Sequence, residues 1–342
     1  MSGRIASVFF SLYMLFVIYA FPACRRAAVP PQAAQVLGTV CTVNAFEDGS
    51  EGLYGELFAR LADIDARFST TRPDSELGAV NAAAGLHAVA VHDDVLYVVG
   101  RALYYARLSD GAFDPSIGPL VKLWGINTDH ARVPSQEEID AVLPLVDWRK
   151  VVLDENSHTL FLQEEGMALE LGGIAKGYAA DELVKILSAR RVRRAIVDLG
   201  GNVYVYGKKK DGSDWKVGVK NPLAAEGEPA LVLSLEKTLS VVTSGVYERF
   251  FVADGIRYHH ILDTRTGRPA ESGCLSATIV SSSSLEADAL STTAFILGAG
   301  RFSAVSGVPA VFINDDASVS ASSSLAGRLT ARLPAFSAIS YF

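Results

Sequence analysis

The chain has 342 residues, 49% hydrophobic and 20% charged, an ordinary globular composition with length enough for a large core. Its formal charge of −7 argues against a nucleic-acid partner, whose phosphate backbone demands a basic surface. Three cysteines, none in a CxxC or Cys/His pattern, exclude a disulfide framework and thiolate zinc chemistry.

In chain order, residues 1–23 read as a signal peptide. Arg4 supplies the positive start, Val8 to Phe21 is a nearly unbroken apolar run, and Phe21-Pro-Ala-Cys24 places a small residue before a cysteine. The pattern is that of a bacterial lipoprotein signal, making Cys24 the expected lipidation site; plain secretion with cleavage near Ala23 is the alternative, along with an uncleaved anchor. The run is too short for a spanning helix of the mature protein, and no later stretch spans a membrane. Residues 24–35 form an Ala/Pro-rich tether, and 36–342 are read as one catalytic domain.

Val36 to Phe46 is the first predicted strand. Glu51 to Phe68 carries helical apolar spacing (Leu53, Leu57, Leu61, Ile64, Phe68) and stops at the loop Ser69 to Ser75. A helix follows from His92 to Ser109, whose Tyr97, Tyr104 and Tyr105 suit a core stripe. Gly111 to Gly118 is turn-rich and Pro119 to Trp124 apolar. A helix over Ser135 to Leu143 leads to strands near Lys150 to Leu153 and Thr159 to Phe161. A glycine-rich loop from Glu170 then feeds a helix to about Arg190, and Ala195 to Gly207 is two β-branched runs around a Gly-Gly turn. Further strands are predicted at Trp215 to Val219, Ala230 to Leu235, Leu239 to Thr243, Tyr258 to Leu262 and Cys274 to Val280. A last helix spans Ser284 to Leu297, and Ala310 to Ile313 and Phe336 to Tyr341 close the sheet. Strands in runs with helices interposed irregularly favour an α+β fold over a doubly wound one. Cys41 and Cys274 read as small buried hydrophobes, with a single bridge between them left open. The basic clusters at 190–194 and 208–210 read as a solvated helix end and a hairpin tip.

Four segments bear on chemistry. In Glu170-Leu-Gly-Gly-Ile-Ala-Lys-Gly, Gly172 and Gly173 allow a tight turn or a close approach, and Lys176 brings a positive charge to a helix start, a combination that suits a phosphate. The same glycines also suit a helix start packed for space. Asp288 and Thr292 stand at i and i+4 of one helix face, and a carboxylate and a hydroxyl at that spacing suit Mg²⁺; an acidic residue favouring the helix dipole and a back-bonded threonine remain the plainer alternative. His259 and His260 point to opposite faces of a strand, so one of them faces any site there, where a histidine is the natural proton acceptor. Thr243-Ser-Gly245 and Ala112-Phe-Asp-Pro115 suit either ligand contacts or turns. Gly-x-Ser-x-Gly, His-Glu-x-x-His, Walker and dinucleotide fingerprints are absent.

Taken in order, these segments resemble the ApbE family, the FAD:protein FMN transferases. The matching pieces are Leu37-Gly-Thr39, Ser69 through Asn81, Gly111 through Leu120, Glu170 through Asp181, Val197 through Asn202, Thr243 through Gly245, His260 through Pro269 and Ala287 through Thr292. The resemblance spans nearly the whole mature chain. It implies a T-fold-like α+β architecture of mixed and antiparallel sheets with packed helices. It also implies a periplasmic enzyme, lipid-anchored to the inner membrane, that splits the FAD pyrophosphate and esterifies FMN to a threonine or serine of a partner flavoprotein, releasing AMP. Mg²⁺ would be held by Asp288, Thr292 and the carbonyl of Gly173. Lys176 would sit by the phosphates, Leu37, Thr71, Ala112, Phe113, Asp114, Glu170, Ser244 and Ile261 would line the FAD pocket, and His260, also beside FAD, would take the proton of the incoming hydroxyl. The expected acceptor is a subunit of a membrane redox complex, by family analogy.

Two positions depart from the family pattern. Glu170 replaces an aspartate, and Thr71 stands where many relatives carry a tyrosine that stacks on the flavin. Losing that ring would loosen FMN and admit water, so FAD pyrophosphatase activity is a companion reading. A non-catalytic FAD-binding lipoprotein is the rival from another class, and a structural lipoprotein a further one. The presence of Asp288, Thr292, Lys176 and His260 together favours the enzyme.

Overall fold

A computed structural model describes residues 28–72, 74–224 and 227–342. The expected signal peptide, Cys24 and the start of the tether lie outside these residues. Among the described residues the α+β expectation holds. Nine strands stand side by side in the order in which they occur in the chain: β1 (Gln32–Val36), β2 (Thr39–Asn44), β3 (Arg194–Leu199), β4 (Asn202–Gly207), β5 (Leu239–Gly245), β6 (Cys274–Ser281), β7 (Ala310–Asn314), β8 (Val319–Ala321) and β9 (Ile339–Tyr341). Neighbours are antiparallel throughout, except that β8 and β9 run parallel.

Among the described residues seven α-helices fill the connections: α1 (Glu51–Phe68), α2 (Glu76–Ala82), α3 (Asp93–Leu108), α4 (Gly118–Trp124), α5 (Gln136–Val142), α6 (Ala175–Ala189) and α7 (Ser284–Val305). Five of them start on a side chain that satisfies an orphan amide, whereas α4 and α6 have no side-chain cap. Ser50 accepts from Leu53 N at α1, and Ser135 and Glu138 form a reciprocal capping box at α5. The apolar stripe of α1 is buried at each predicted position, and α7 is broken by Gly298 (φ 70°), one residue beyond its predicted end.

Several expectations are corrected. Val36 to Phe46 is not one strand: Leu37 (φ 54°) and Gly38 (φ 66°) turn the chain between β1 and β2, a two-residue reversal with both central residues left-handed. The tether therefore ends sooner than expected, because Gln32–Val36 is β1. Its Ala and Gln residues carry little β propensity, and its ladder to β2 supplies what sequence preference does not. Tyr258 to Leu262 splits into the end of a hairpin (Phe250–Ala253 with Ile256–His259) and a short pairing of Leu262–Asp263 with Arg268–Pro269. The closing strand starts at Ile339, after a 3₁₀ turn that holds Phe336. Helices α2 and α4 were not expected; at seven residues each they are too short to display a periodic stripe.

The sheet is covered on both faces, and period-two alternation shows how. From β7, Ala310 and Phe312 join the large core shared with α1, α3, α6 and α7, while Val311 and Ile313 join a second core. That second core lies under a three-stranded sheet of Trp215–Val219, Leu231–Leu235 and Leu329–Ala331. A small third cluster of Leu120, Trp124, Ile139 and Leu262 fixes α4 and α5, with Trp124 Nε1 donating to Gly267 O at 2.7 Å.

Two contacts lock the helices that matter for the site. Arg60 on α1 reaches Asp94 on α3 and Glu182 on α6, each at 2.7 Å, and Tyr178 donates to Asp94 at 2.6 Å. Helices α6 and α7 touch at Gly177, where a Cβ would lie 2.3 Å from Ser284 O and 2.7 Å from Asp288 Cβ. Cys41 and Cys274 are both buried and free, which closes the question of a bridge between them.

Candidate active site

A cleft of about 440 Å³ opens where the end of β5, the loop before α6 and the first turns of α7 meet the 112–114 turn. Its size falls in the range of small-molecule sites. Glycine at 177 lets α6 approach α7 closely enough for Gly177 N to donate to Asp288 Oδ2 at 2.8 Å. The other oxygen of Asp288 faces Lys176 Nζ at 3.9 Å, and that ammonium also donates to Gly172 O at 2.7 Å. Asp288 is only 4% exposed. Burial raises its pKa, opposed by the charge of Lys176 and the amide of Gly177. The segments singled out separately in the sequence, 111 residues apart, thus form one contact.

One turn further along α7, Thr292 enters the same cleft. Its hydroxyl lies 3.4 Å from Ser244 Oγ, which is itself 2.8 Å from Ser291 Oγ. Gly173 stands against both Thr292 and Phe113: a Cβ there would be 3.4 Å from the hydroxyl and 3.1 Å from the ring.

His260 lines the cleft and His259 is not among its lining residues. His259 turns away, its Nε2 donating to Ala270 O at 3.2 Å and its ring edge-on to Phe295. His260 Nδ1 lies 3.1 Å from Arg249 O. A carbonyl only accepts, so the proton sits on Nδ1 and Nε2 keeps a free lone pair. Burial, then the charge of Arg249, lower the His260 pKa to about 4; the bond to the Arg249 carbonyl opposes this, while Lys176 and His259 add to it. The imidazole is therefore neutral across the ordinary pH range.

The remaining predicted residues divide. Ala112, Phe113, Asp114, Glu170, Ser244 and Ile261 line the cleft. Asp114 does so with its carboxylate already engaged: Oδ1 accepts from Ser116 N and Oγ, and Oδ2 from Trp148 N. Glu170 accepts from Gly172 N at 2.7 Å and from Thr70 Oγ1 at 3.4 Å, tying the 69–75 loop to the glycine loop. Leu37 and Thr71 stand outside the lining. The turn directs Leu37 onto the main core and its amide to Asp65, leaving Gly38 and Thr39 as cleft residues. Thr71 is exposed in a loop held by Ser69, whose Oγ bonds the Thr71 amide and hydroxyl.

Sequence alone gives no individual role to Arg249, to the wall formed by Thr39 with Gly200 and Gly201, or to Asp181, although all but Arg249 fall within the matching family pieces. At Gly200 (φ 65°) a Cβ would fall 2.3 Å from Thr39 Oγ1, so glycine there serves both the turn and the close approach. Asp181, the last residue of the glycine-loop motif, accepts from Ser283 Oγ, Ser284 N and Leu285 N, and so caps α7. Local spacing gives no sign of a cap supplied from a residue a hundred positions earlier.

Among the described residues no group of three or more His, Cys, Asp and Glu side chains is arranged for a metal. A cation here would rest on one carboxylate with hydroxyl and carbonyl oxygens. The donors at this point are hard oxygens, and the burial cost of the Asp288 carboxylate, only partly offset by Lys176 and the Gly177 amide, would be offset further by a cation. That set fits Mg²⁺, which takes few protein carboxylates and shares its shell with phosphates and water.

Known proteins resemble this chain over most of its length. The sequence model of the ApbE family matches residues 37–309. The FAD:protein FMN transferase of Treponema pallidum is 39% identical over 319 residues, covering 87% of this chain and 88% of its own. That of Klebsiella pneumoniae is 40% identical over 249 residues, covering 72% and 76%. Among solved structures, the ApbE protein of Thermotoga maritima superposes with a TM-score of 0.79 at 31% identity, over 87% of this chain and 98% of its own. With this match across two thirds and more of its length, the chain belongs to the ApbE family.

Proposed function

We propose that this protein is a Mg²⁺-dependent FAD:protein FMN transferase. The observation that carries the reading is the convergence, on one cleft, of a neutral histidine with a free Nε2 and the Lys176–Asp288 pair. FAD would lie with its pyrophosphate by Lys176. The hydroxyl of an acceptor serine or threonine enters beside His260. As its oxygen bonds to the FMN phosphorus, Nε2 accepts its proton, the anhydride P–O bond breaks, and AMP departs with the electron pair. Lys176 offsets charge on the phosphoryl oxygens. Asp288, Thr292 and the Gly173 carbonyl would hold Mg²⁺, which when bound supplies further neutralisation of the phosphates. Leu37 and Thr71 are proposed as rim contacts of the bound dinucleotide, outside the cleft proper.

Cys24 is proposed as a lipid anchor that keeps the domain on the periplasmic side of the inner membrane, facing a flavoprotein subunit of a membrane redox complex. No helix among the described residues is long and apolar enough to cross a membrane. Co-expression with candidate acceptors followed by mass spectrometry tests the transfer: an FMN adduct on a serine or threonine is expected with the wild-type chain and lost with His260→Ala. Undiminished adduct at saturating FAD in that variant would remove the base role.

The exposed Thr71 supports a second activity. Without an aromatic ring on the rim, water has access to the phosphoryl group, and FAD plus water would give FMN and AMP.

A further inference from the structure

We infer that Arg249 is a second phosphate-binding residue, its guanidinium gripping pyrophosphate oxygens of the dinucleotide in the cleft it lines together with Lys176. The inference rests on the proposed FAD-cleaving function and adds a residue that the family resemblance did not supply. Arg249 is the arginine among the cleft-lining residues. It makes no ion pair among the described residues, unlike Arg265, which is bound to Asp263 at 2.6 Å. Among the described residues its guanidinium has one hydrogen bond, from Nη2 to Gly38 O, stretched to 3.5 Å, at the limit of a real interaction. The side chain therefore crosses towards the Gly38 turn with its donors essentially unspent.

The position of the backbone strengthens the assignment. The Arg249 carbonyl receives both the amide and Nδ1 of His260, each at 3.1 Å, so guanidinium and base are set on one frame. The charges of Arg249 and Lys176 both reach His260. An anion placed within reach of His260 thus meets both a lysine point charge and a planar guanidinium fork. The fork matches paired oxygens of a phosphate in a way an ammonium does not.

The test measures affinity for FAD and for riboflavin, which lacks phosphate, by flavin fluorescence in EDTA so that no turnover intervenes. Arg249→Met removes the charge and leaves the carbonyl that holds His260. FAD affinity is expected to fall about tenfold or more, as for loss of a charge-assisted bond, with riboflavin affinity unchanged. Arg249→Lys is expected to recover part of the loss. Unchanged FAD affinity, or an equal fall for both ligands, overturns the inference. Thermal unfolding of each variant separates misfolding from lost contact, and Arg249→Gln, which is uncharged and polar, stands in for methionine if that variant is unstable. A wild-type chain that fails to bind FAD would refute the underlying function, and the Arg249 inference with it.

Discussion

At the scale of single residues, the cleft is built from groups whose surroundings have set their state. His260 is kept neutral by burial and by the positive charge of Arg249, with its proton fixed on Nδ1 by a carbonyl. Thr71 stands where the family resemblance implies a flavin-stacking tyrosine, and its side chain is exposed. Thr71→Tyr should restore a stacking surface worth about 0.5–1.5 kcal/mol, which corresponds to a few-fold to tenfold tighter flavin binding. FMN release from FAD in the absence of acceptor should fall accordingly; unchanged release would remove water access at Thr71 as the source of hydrolysis. Much of this site was legible. Lys176, Asp288, Thr292 and His260 were marked by residue type and helical spacing, and the family resemblance joined them. Arg249 was not, because an arginine near a strand end has no local signature: its meaning comes from the fold that brings Gly38 to face it. Nor was it legible that the Asp114 carboxylate would be consumed by Ser116 and Trp148.

At the scale of elements, the decisive feature is the contact of α6 with α7. Sequence reading assigned the glycines of the loop to the loop itself, yet Gly177 inside α6 is the one pressed hardest, against Ser284 O and Asp288 Cβ. Gly177→Ala should cost about 1–3 kcal/mol through overpacking, outweighing the roughly 1 kcal/mol that alanine gains in helix propensity. It should also push Asp288 from Lys176, so chemical denaturation and FAD affinity should both worsen; a variant as stable as the parent would contradict the contact. Long helices such as α1 and α3 are readable from periodicity, but the aromatic core stripe expected on α3 is corrected: Tyr105 is buried, while Tyr97 and Tyr104 are about half exposed. The seven-residue α2 and α4 were not readable, and β1 was hidden in an Ala/Gln segment that becomes a strand only because β2 offers it a ladder. The cap that Asp181 places on α7 depends on a partner a hundred residues away.

At the scale of the whole molecule, a nine-stranded sheet with helices on one face and a small sheet on the other provides the rigid support on which the cleft residues converge. That burial has a pH signature. His259 and His260 each have pKa values lowered to about 4, from 6.5 for a free histidine. Below pH 6.5 the unfolded chain binds protons that the folded chain refuses, so stability should fall between pH 6.5 and 4 by about 1 kcal/mol per pH unit for each histidine. Thermal unfolding across that window checks this, and replacing His259, which stands outside the cleft, by glutamine should flatten the slope. A slope unaltered by that change would show that the buried ring does not set the acid sensitivity.

The central claim is that this cleft cleaves the FAD pyrophosphate with Mg²⁺ held at Asp288. AMP release from FAD by the purified protein, measured with Mg²⁺, with EDTA and in Asp288→Ala, tests it most directly. AMP should form with Mg²⁺ and be abolished by EDTA and by the substitution. FAD that binds but stays intact with Mg²⁺ both alone and with an acceptor flavoprotein present, or cleavage that persists in EDTA, would contradict the claim.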